Sequence, residues 1–333
     1  MRYAVAFSTG MAALHGACFA AGIEEGDEVI TTPLAFTLGA DCVLCQGGTP
    51  VYADVLLDTF NIDPGSVEAL ITEKTKAIIA ADFAGLPCDA EYIRAIAKRN
   101  NLTFIEDASH ALGAVYKSRR IGYFSDMIMF SFHTVKHITV GEWSVIATNN
   151  EVYYEKLKQF RSHRITKNIN KSTANFKPLY YEIQFIGRDH SITEIQAALG
   201  LSQLKKLRKI IKIKRKYAKI YAQAFKDIEE IIFPKQQDNI FPSWHFYVIR
   251  LNTDRISTGL KDIFEGLFRE NIGGQLNDLS VYSSTCNQES GYIKGSCPNA
   301  EKLCEEMIIL PLFPAMSKND IKDVVRAVKK VIS

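Results

Sequence analysis

Long apolar runs that alternate with helical segments dominate the first half of the chain. The segments KAIIAAD (76–82) and LTFIE (102–106) are continuous apolar and β-branched stretches, and Met127–Phe132 and Ser144–Thr148 have the same character. Predicted helices separate the strands, at 36–45, 64–71 and 90–99. Strands without polar alternation are buried on both faces, and strands that alternate with helices form parallel sheets. The pattern predicts an α/β fold with a mostly parallel sheet covered on both faces.

The second half of the chain has a different pattern. A helical periodicity runs from Thr193 to about Phe225. It is followed by a predicted strand at Phe246–Leu251 and predicted helices at Thr258–Glu270 and Asn319–Val331. A length of 333 residues corresponds to about two domains. We therefore expect a large α/β domain at 1–205 and a small α+β domain at 206–333.

The long predicted helix carries nine basic residues between Lys205 and Lys219. Such a run can line a nucleic-acid groove, but it is more often the solvated face of an amphipathic helix. The formal net charge of the whole chain is only +3, which gives no general attraction to nucleic acid or to an anionic membrane. Neither partner is predicted.

The start of the chain allows two interpretations. Residues 3–23 are mostly apolar and follow Arg2, as in a secretory signal. Ser8, Thr9 and His15 interrupt the stretch, which favours a short strand, a turn and a buried helix. The chain has seven cysteines, an odd number that argues against a disulfide framework and for a reducing compartment. A cytoplasmic location is therefore expected.

Residues just past the strands are the first candidates for chemistry, because ligands in open α/β sheets bind beyond the carboxyl ends of the strands. The turn at Thr9-Gly10 opens a helix, and the free N–H groups of a helix start favour a phosphate. Asp107 and His110 follow the strand LTFIE, so that a carboxylate and an imidazole lie within one turn.

Two further strand ends carry candidate residues. Ser131 and Lys136 close the apolar run that begins at Met127. A lysine near buried aromatic rings has its amine pKa lowered from about 10.4 and becomes nucleophilic. Phe36 follows another strand and offers a ring that can stack on a flat ligand. Each residue also has an ordinary structural interpretation: a helix cap for Asp107, a surface position for Lys136 and core packing for Phe36.

Together these residues fit pyridoxal 5′-phosphate (PLP). This cofactor needs a lysine for its aldehyde, an acid against its pyridine nitrogen, donors for its phosphate and a flat partner for its ring. A metal site is a weaker interpretation. Cys42 and Cys45 have a zinc-like spacing, but they lie in an apolar predicted helix and lack a second pair of ligands. No metal is predicted.

Several stretches of the chain resemble the motifs of a known family. The specific motifs are EDASHALGA (106–114) and FSFHTVKHIT (130–139). Supporting stretches are ITTPLAF (30–36), VYADV (51–55), TFNIDP (59–64), FRSH (160–163), TEIQAALGLSQLKKL (193–207) and LPLFPAM (310–316). On these stretches, over essentially its whole length, the chain resembles the PLP-dependent nucleotide-sugar aminotransferases of the DegT/DnrJ/StrS type. Within that family it is most similar to members of the pseudaminic-acid pathway.

The resemblance implies a fold, an assembly and a reaction. The fold is that of the PLP-dependent transferases of fold type I, with a seven-stranded sheet in a large domain and a small C-terminal domain. The assembly is a homodimer. The reaction moves an amino group from glutamate to a UDP-linked 4-keto-6-deoxy sugar, for bacterial surface-sugar biosynthesis.

The resemblance also implies residue roles. Lys136 matches the lysine that forms a Schiff base with the cofactor, and Asp107 matches the acid that keeps the pyridinium protonated. His110 matches the residue beside the phenolic oxygen of the cofactor. Ser131 and the turn at Thr9-Gly10 match phosphate contacts. The ring-stacking aromatic of the family is matched by Phe36.

Several positions depart from the family pattern. The phosphate-binding threonine of the family corresponds to Met11, so one hydroxyl is lost. Asp189 stands where the family sends an asparagine to the phosphate of the partner subunit. A carboxylate about 4 Å from a phosphate charge repels it by roughly 4 kcal/mol, unless Arg188 compensates or Asp189 turns away. Trp143 replaces a small flexible residue, and the substrate-side residue Gln275 lies in an altered motif.

These departures keep a second interpretation open, a catalytically weak or inactive relative that retains the fold as a dimeric binding or vestigial protein. A sugar dehydratase of the same fold is disfavoured, because such relatives carry histidine where Lys136 stands. By the same comparison about 40 family residues precede Met1, and an exposed apolar patch over the first helix is expected.

Overall fold

The computed structural model describes residues 1–34, 38–162, 165–166, 182–183, 188–235, 238–256, 258–276 and 292–332. The strands are β1 (Tyr3–Phe7), β2 (Glu28–Thr31), β3 (Thr49–Tyr52), β4 (Thr75–Ala81), β5 (Thr103–Asp107), β6 (Val115–Tyr116), β7 (Arg119–Arg120), β8 (Met127–Ser131), β9 (Ser144–Thr148), β10 (Ile165–Thr166), β11 (Glu182–Ile183), β12 (Ile231–Ile232), β13 (Ile240–Phe241), β14 (Tyr247–Leu251), β15 (Gln275–Leu276) and β16 (Met307–Leu310). The helices are α1 (Gly10–Ala21), α2 (Leu38–Leu44), α3 (Pro64–Ala69), α4 (Ala90–Arg99), α5 (Glu151–Arg161), α6 (Glu194–Leu204), α7 (Leu207–Phe225), α8 (Leu260–Arg269), α9 (Pro298–Glu306) and α10 (Lys318–Ile332).

A seven-stranded sheet forms the centre of the first half, in the order β1-β9-β8-β5-β4-β2-β3. Strand β9 is antiparallel to both of its neighbours, β1 and β8. The other neighbouring pairs are parallel, so six of the seven strands point the same way. The predicted mostly parallel sheet is confirmed.

Both faces of this sheet are buried, as the continuous apolar runs predict. Successive residues of a strand point to opposite faces. Ile79 and Ile105 accordingly join the core on the side of α1 and α5. Ile78 and Phe104, one position earlier in each strand, join the core under α4. The sheet is therefore enclosed on both faces, and the connecting loops lie at its edges.

Helix α1 is enclosed rather than exposed. Nine of its 12 residues are buried, and most of them are alanine, glycine or cysteine. Such small side chains allow close packing; a Cβ added at Gly16 would lie 3.0 Å from the ring of Phe7. The expected exposed apolar patch over the first helix is therefore wrong for the described residues, because α2 and α5 pack against it. The strand, turn and buried helix predicted at the start of the chain are confirmed.

A second sheet, β12-β14-β16-β15, lies in the second half of the chain. Helices α7, α8 and α10 pack around it in a separate hydrophobic cluster. Helix α7 contributes to both halves: Leu207 packs with the cluster around Phe132, and Tyr221 belongs to the second cluster. The division at residue 205 stays a prediction.

The single long helix predicted from Thr193 is wrong, because two helices meet at a tight turn. The N–H of Lys206 donates to the carbonyl of Gln203 at 2.9 Å, which closes a three-residue turn after α6. Seven of the nine basic residues that follow are exposed. The solvated-face interpretation is confirmed for those seven, while Lys214 is buried and Arg215 is half-buried.

Among the described residues, no helix is long and apolar enough to cross a membrane.

Candidate active site

The register of the central sheet brings the predicted residues to one edge. Phe7 and Ser131 both lie opposite Ser144, one on each side of β9. Asp107, the last residue of β5, lies opposite Met129, two residues before the end of β8. Because these parallel strands end at the same edge, the segments that follow them, with their side chains, meet there.

Lys136 follows β8 in a turn at this edge, and its backbone N–H donates to the carbonyl of His133 at 2.9 Å. The amine is largely enclosed. Burial lowers the pKa of Lys136 to about 8, while the carboxylates of Asp107 and Glu142 act in the opposite direction. An amine with this pKa is partly unprotonated near neutral pH, as a nucleophile must be.

Asp107 and His110 lie within electrostatic reach of Lys136. Burial raises the pKa of the Asp107 carboxyl, and the N–H of Ser109, which donates to Oδ1 at 2.9 Å, opposes the shift, as does the charge of Lys136. Burial holds the pKa of His110 well below its usual value, and the neighbouring basic groups Lys136, His137 and Lys214 act in the same direction. The edge thus holds a desolvated acid, a reactive amine and a neutral imidazole.

The amino end of α1 lies in the segment that follows β1. Thr9 is the N-cap residue, and its hydroxyl oxygen accepts the N–H of Ala12 at 3.0 Å. The N–H groups of the first helical turn point out of the helix and favour an anion. The side chain of Met11 lies against Cys42, with 3.2 Å between the two sulfur atoms, so it offers no hydroxyl.

Ser131 and Asp189 flank the same region. Ser131 ends β8 and is buried, and its hydroxyl oxygen accepts the N–H of His133 at 3.4 Å. The segment with Asp189 is tied to the start of α1, because the N–H of Ser8 donates to the carbonyl of His190 at 2.8 Å. The exposed carboxylate of Asp189 accepts the N–H of Ser191 at 3.0 Å.

Two predicted site residues lie apart from this geometry. Phe36 lies outside the described residues. Gln275 is placed on β15, opposite Ile309 in the second sheet. The zinc-like pair Cys42 and Cys45 is not joined by further ligands. The described residues contain no group of three or more histidine, cysteine or carboxylate side chains that could hold a metal.

Trp143, which departs from the family pattern, is a packing residue. Its ring stacks on Phe132, with centroids 4.7 Å apart and an interplanar angle of 24°. A Cβ added at Gly200 of α6 would lie 2.4 Å from its Cζ3 atom. The amide of Gln196 donates to the carbonyl of Glu142 at 2.9 Å. Helix α6 is therefore fastened to the loop that follows Lys136.

We expect Gly200→Ala to destabilise the protein. The new methyl group overpacks against Trp143 at a cost of about 1–3 kcal/mol, which outweighs the gain of up to about 1 kcal/mol from alanine in a helix. Urea denaturation measures the change. In the Trp143→Leu background the clash is absent, so Gly200→Ala is expected to be neutral or stabilising there. Destabilisation in both backgrounds would assign the effect to another contact.

Sequence reasoning missed some residues that shape this site. Glu142 acts on the pKa of Lys136 and lies 3.4 Å from the ring of His133. His245, from the second half, stacks on His110 with ring centroids 4.5 Å apart. No spacing rule points from residue 245 to residue 110, because only the fold brings them together.

The donor set fits PLP. It combines an amine of lowered pKa, a buried acid within its reach and a helix amino end at one edge of the sheet. The sequence profile described as the DegT/DnrJ/EryC1/StrS aminotransferase family matches residues 1–329. The chain belongs to this family. The family accounts for the mixed α/β fold and for the seven-stranded sheet of the first half.

Individual relatives agree with the family assignment. The spore coat polysaccharide biosynthesis protein SpsC of Bacillus subtilis is 35% identical, with 99% of this chain and 86% of SpsC covered. The Helicobacter pylori aminotransferase PseC, described as involved in the biosynthesis of pseudoaminic acid, is 31% identical with a TM-score of 0.89, covering 100% of this chain and 87% of PseC. The putative sugar aminotransferase Spr1654 of Streptococcus pneumoniae, in its PLP form, is 25% identical with a TM-score of 0.88, covering 99% of this chain and 88% of Spr1654. The chain is a sugar aminotransferase of polysaccharide or sugar biosynthesis.

Proposed function

We propose that the chain uses PLP to move the amino group of glutamate onto a 4-keto-6-deoxy sugar linked to UDP, for the synthesis of a surface polysaccharide. The proposal depends above all on one observation. Lys136 and Asp107 come together at the ligand-binding edge of the sheet, where burial lowers the pKa of the amine and raises that of the acid.

Each of these residues has a distinct task in the proposal. When bound, PLP supplies the electron sink that makes the α-proton of an amino acid acidic. Lys136 holds the cofactor and later, as a free amine, moves the proton between the substrate Cα and the cofactor C4′. Asp107 would hold the pyridine nitrogen in its protonated form. His110 would stay neutral and would be the residue for the phenolic oxygen, as the resemblance implies.

The amino end of α1 and the end of β8 would hold the phosphate. Thr9, Gly10 and Ser131 would supply backbone N–H groups and hydroxyls. Met11 supplies only its backbone N–H. By the resemblance, Asp189 would approach the phosphate of the partner subunit, and its carboxylate already accepts the N–H of Ser191 in its own turn. Gln275 and Phe36 are assigned to the sugar and to the cofactor ring by the resemblance alone.

The donor and the acceptor are inferred from relatives. PseC is described as acting in pseudoaminic-acid biosynthesis and SpsC in spore coat polysaccharide biosynthesis. A UDP-linked keto sugar as acceptor and glutamate as donor are the pair that the family resemblance implies.

We also propose a homodimer. Helix α6 buries only Gly200 among its 11 residues. Its exposed apolar side chains include Ile195 (82% exposed), Leu201 (65%) and Leu199 (44%). An exposed apolar surface of this kind marks an interface, and a second copy of the chain is the proposed partner.

The free thiols of the six cysteines in the described residues support the expected reducing, cytoplasmic compartment.

Absorption spectroscopy tests the reaction in two steps. Purified protein with PLP is expected to show the visible band of lysine-bound cofactor, and glutamate is expected to remove it. A UDP-linked 4-keto-6-deoxy sugar is then expected to restore the band, with the aminated sugar detected by mass spectrometry. The matched control is the same nucleotide sugar without the keto group, which has no carbonyl to aminate and should leave the band unrestored.

The second candidate function is an inactive relative that keeps the fold. The altered positions Met11 and Asp189 favour it, whereas the packing role of Trp143 removes that residue from the argument. Absence of a visible band at saturating PLP would support this candidate and would overturn the proposed reaction. A band that glutamate leaves unchanged would reject glutamate as the donor.

A further inference from the structure

His110 of the candidate active site lies against a buried cluster of two imidazoles and a lysine, His137, His245 and Lys214. The ring of His245 stacks on His110 at 4.5 Å with an interplanar angle of 22°. It also lies 5.3 Å from the ring of His137, at 44°. The ammonium of Lys214 donates to the backbone carbonyl of His245 at 3.0 Å. This cluster joins residues from the segment after β5, from the turn of Lys136, from α7 and from the segment before β14.

We propose that His245 is a positioning residue of the site: its ring fixes the plane of the His110 ring, and the segment around it ties the Lys136 turn to the second sheet through the carbonyl of Ser243. The inference rests on the proposed function, because it assigns a purpose to the same site. It goes beyond that function by naming a residue that the reaction does not require to touch cofactor or substrate.

The segment Ser243–Phe246, here called the clamp, is held at several points. The N–H of Ser243 donates to the carbonyl of Gly85 at 3.0 Å, and the N–H of His245 donates to the carbonyl of Ala84 at 2.8 Å. The hydroxyl of Ser243 donates to the carbonyl of His110 at 2.9 Å. These bonds fix the clamp to the segments that follow β4 and β5.

The clamp also holds the lysine turn and α7. The Nε2–H of His137, next to Lys136, donates to the carbonyl of Ser243 at 3.2 Å. On the other side, Lys214 of α7 donates to the carbonyl of His245 at 3.0 Å, and Arg215 donates to the carbonyls of Pro242 at 2.7 Å and Phe241 at 2.8 Å, just before the clamp. One short segment therefore connects three active-site elements to the helix that enters the second hydrophobic cluster.

The fit at Gly85 shows how closely the clamp is seated. Gly85 has a positive φ of 89°, and a Cβ there would lie 2.7 Å from the carbonyl oxygen of His110 and 2.8 Å from the N of His245. No side chain fits between the two segments. The position of His245 relative to His110 is therefore set by backbone contacts on both sides.

The flat shape of the His245 ring, rather than its nitrogen atoms, carries the proposed role. The side chain is 3% exposed, and neither ring nitrogen has a hydrogen-bond partner within the described part of the chain. Burying unpaired polar atoms is unfavourable, so a phenylalanine would serve packing better. A flat ring of this size, stacked at 22°, does what an aliphatic side chain cannot: it restricts the tilt of the His110 ring.

The surroundings keep these imidazoles neutral. The titratable groups that act on His245 are His110, Lys136, His137 and Lys214, all of them basic. Burial and these neighbours hold the pKa of His245 well below its usual value. Burial also lowers the pKa of His137 to about 3. A neutral, fixed ring at His110 can face the cofactor without adding positive charge beside Lys136.

Two variants test the role of the ring. His245→Phe keeps a flat ring, and His245→Leu keeps the volume but loses the flat ring. Histidine side-chain NMR on the cofactor-free protein follows the titration of His110, and visible circular dichroism follows the orientation of added PLP. We expect the Phe variant to match the wild type within about twofold in PLP affinity. We expect the Leu variant to bind PLP at least tenfold more weakly, with a reduced dichroic signal. In the same variant the pKa of His110 is expected to move towards the ordinary value of a histidine.

The controls separate this inference from the proposed function. His15 is another buried histidine, in contact with Phe160 and outside the clamp, and His15→Leu is expected to leave both signals unchanged. Equal loss in the Phe and Leu variants, or no loss in either, would overturn the positioning role. If His245→Leu does not fold, Ser243→Ala must shift the His110 titration in the same direction, and an unchanged titration overturns the inference. The NMR result stands whether or not the wild type transaminates.

Discussion

Lys136→Ala is expected to lose the visible absorption of bound PLP and to slow transamination by a thousandfold or more. The substitution removes both the amine that holds the cofactor and the base that moves the proton. A positioned general base contributes about 10²–10⁴-fold on its own. The lowered pKa of Lys136, about 8, means that the amine is ready for both tasks near neutral pH.

A second buried amine makes this test sharper. Burial lowers the pKa of Lys214 to about 8 as well, so lowered pKa alone does not identify the reactive lysine. The Lys214 ammonium donates to the carbonyl of His245, whereas Lys136 lies in reach of the Asp107 carboxylate. We therefore expect Lys214→Met to keep the visible band.

The outcomes of these two variants distinguish the two amines. Added methylamine is expected to restore part of the activity of Lys136→Ala, because a free amine can replace the missing base, and to have no such effect on the wild type. A visible band that persists in Lys136→Ala and disappears in Lys214→Met would show that Lys214, and not Lys136, holds the cofactor. Loss of the band in both variants would show that the clamp is needed to hold the lysine turn.

The candidate site is largely predictable from sequence because its residues follow strand ends. Asp107, Ser131 and the turn at Thr9 each close an apolar run, and parallel strands end at a common edge. The register then adds what the sequence leaves open, that Phe7 and Ser131 lie on either side of the same residue, Ser144. The same apolar runs also predict the α/β fold class.

The parts that sequence reasoning missed depend on contacts distant in the chain. His245 stacks on His110 only because the clamp fits against Gly85, and no periodicity signals that contact. The break after α6 carries no glycine or proline, so it is invisible to rules based on helix breakers. Ile211 of α7 approaches Gly113 closely, since an added Cβ there would lie 2.1 Å from Ile211 Cδ1, and this contact is likewise distant in the chain.

A pair of buried carboxyl groups beside the site was also missed, although the sequence contains a signal for it. Asp82 directly follows β4, and Glu106 is the penultimate residue of the neighbouring strand β5. Both side chains are 1% exposed. Two acids at the carboxyl ends of adjacent strands are expected to meet, and here they lie within hydrogen-bonding reach of each other.

The pair is stable only when it shares a proton. Glu106 Oε2 accepts the N–H of Gly122 at 2.9 Å and the hydroxyl of Ser125 at 2.7 Å. Its Oε1 and Asp82 Oδ2 are buried without a donor, unless one carboxyl is protonated and donates to the other. Burial raises the pKa of Glu106 to about 7, and burial together with the charge of Glu106 raises that of Asp82. Two adjacent buried carboxylates cannot both ionise without a large cost.

The sign of the pH dependence follows from the raised pKa. Between the ordinary pKa of Glu106, 4.5, and its folded value of about 7, the folded state binds more protons than the unfolded state. The contribution of the Glu106 proton to stability is therefore complete below about pH 4.5, falls as the pH rises through 7 and is lost above it, and the raised pKa of Asp82 acts with the same sign. A shift of this size corresponds to a loss on the order of 3 kcal/mol.

Glu106→Gln is expected to remove this loss. The amide oxygen can keep the bonds from Gly122 and Ser125, and the amide NH₂ can donate to Asp82 without needing a proton. The variant should match the wild type near pH 5 and exceed its free energy of unfolding at pH 8 by on the order of 3 kcal/mol. Urea denaturation at the two pH values measures the difference, with Glu68→Gln as the control, because Glu68 is exposed and its ion pair with Arg99 contributes little. An equal effect of Glu106→Gln at both pH values would show that the carboxyl pair does not share a proton.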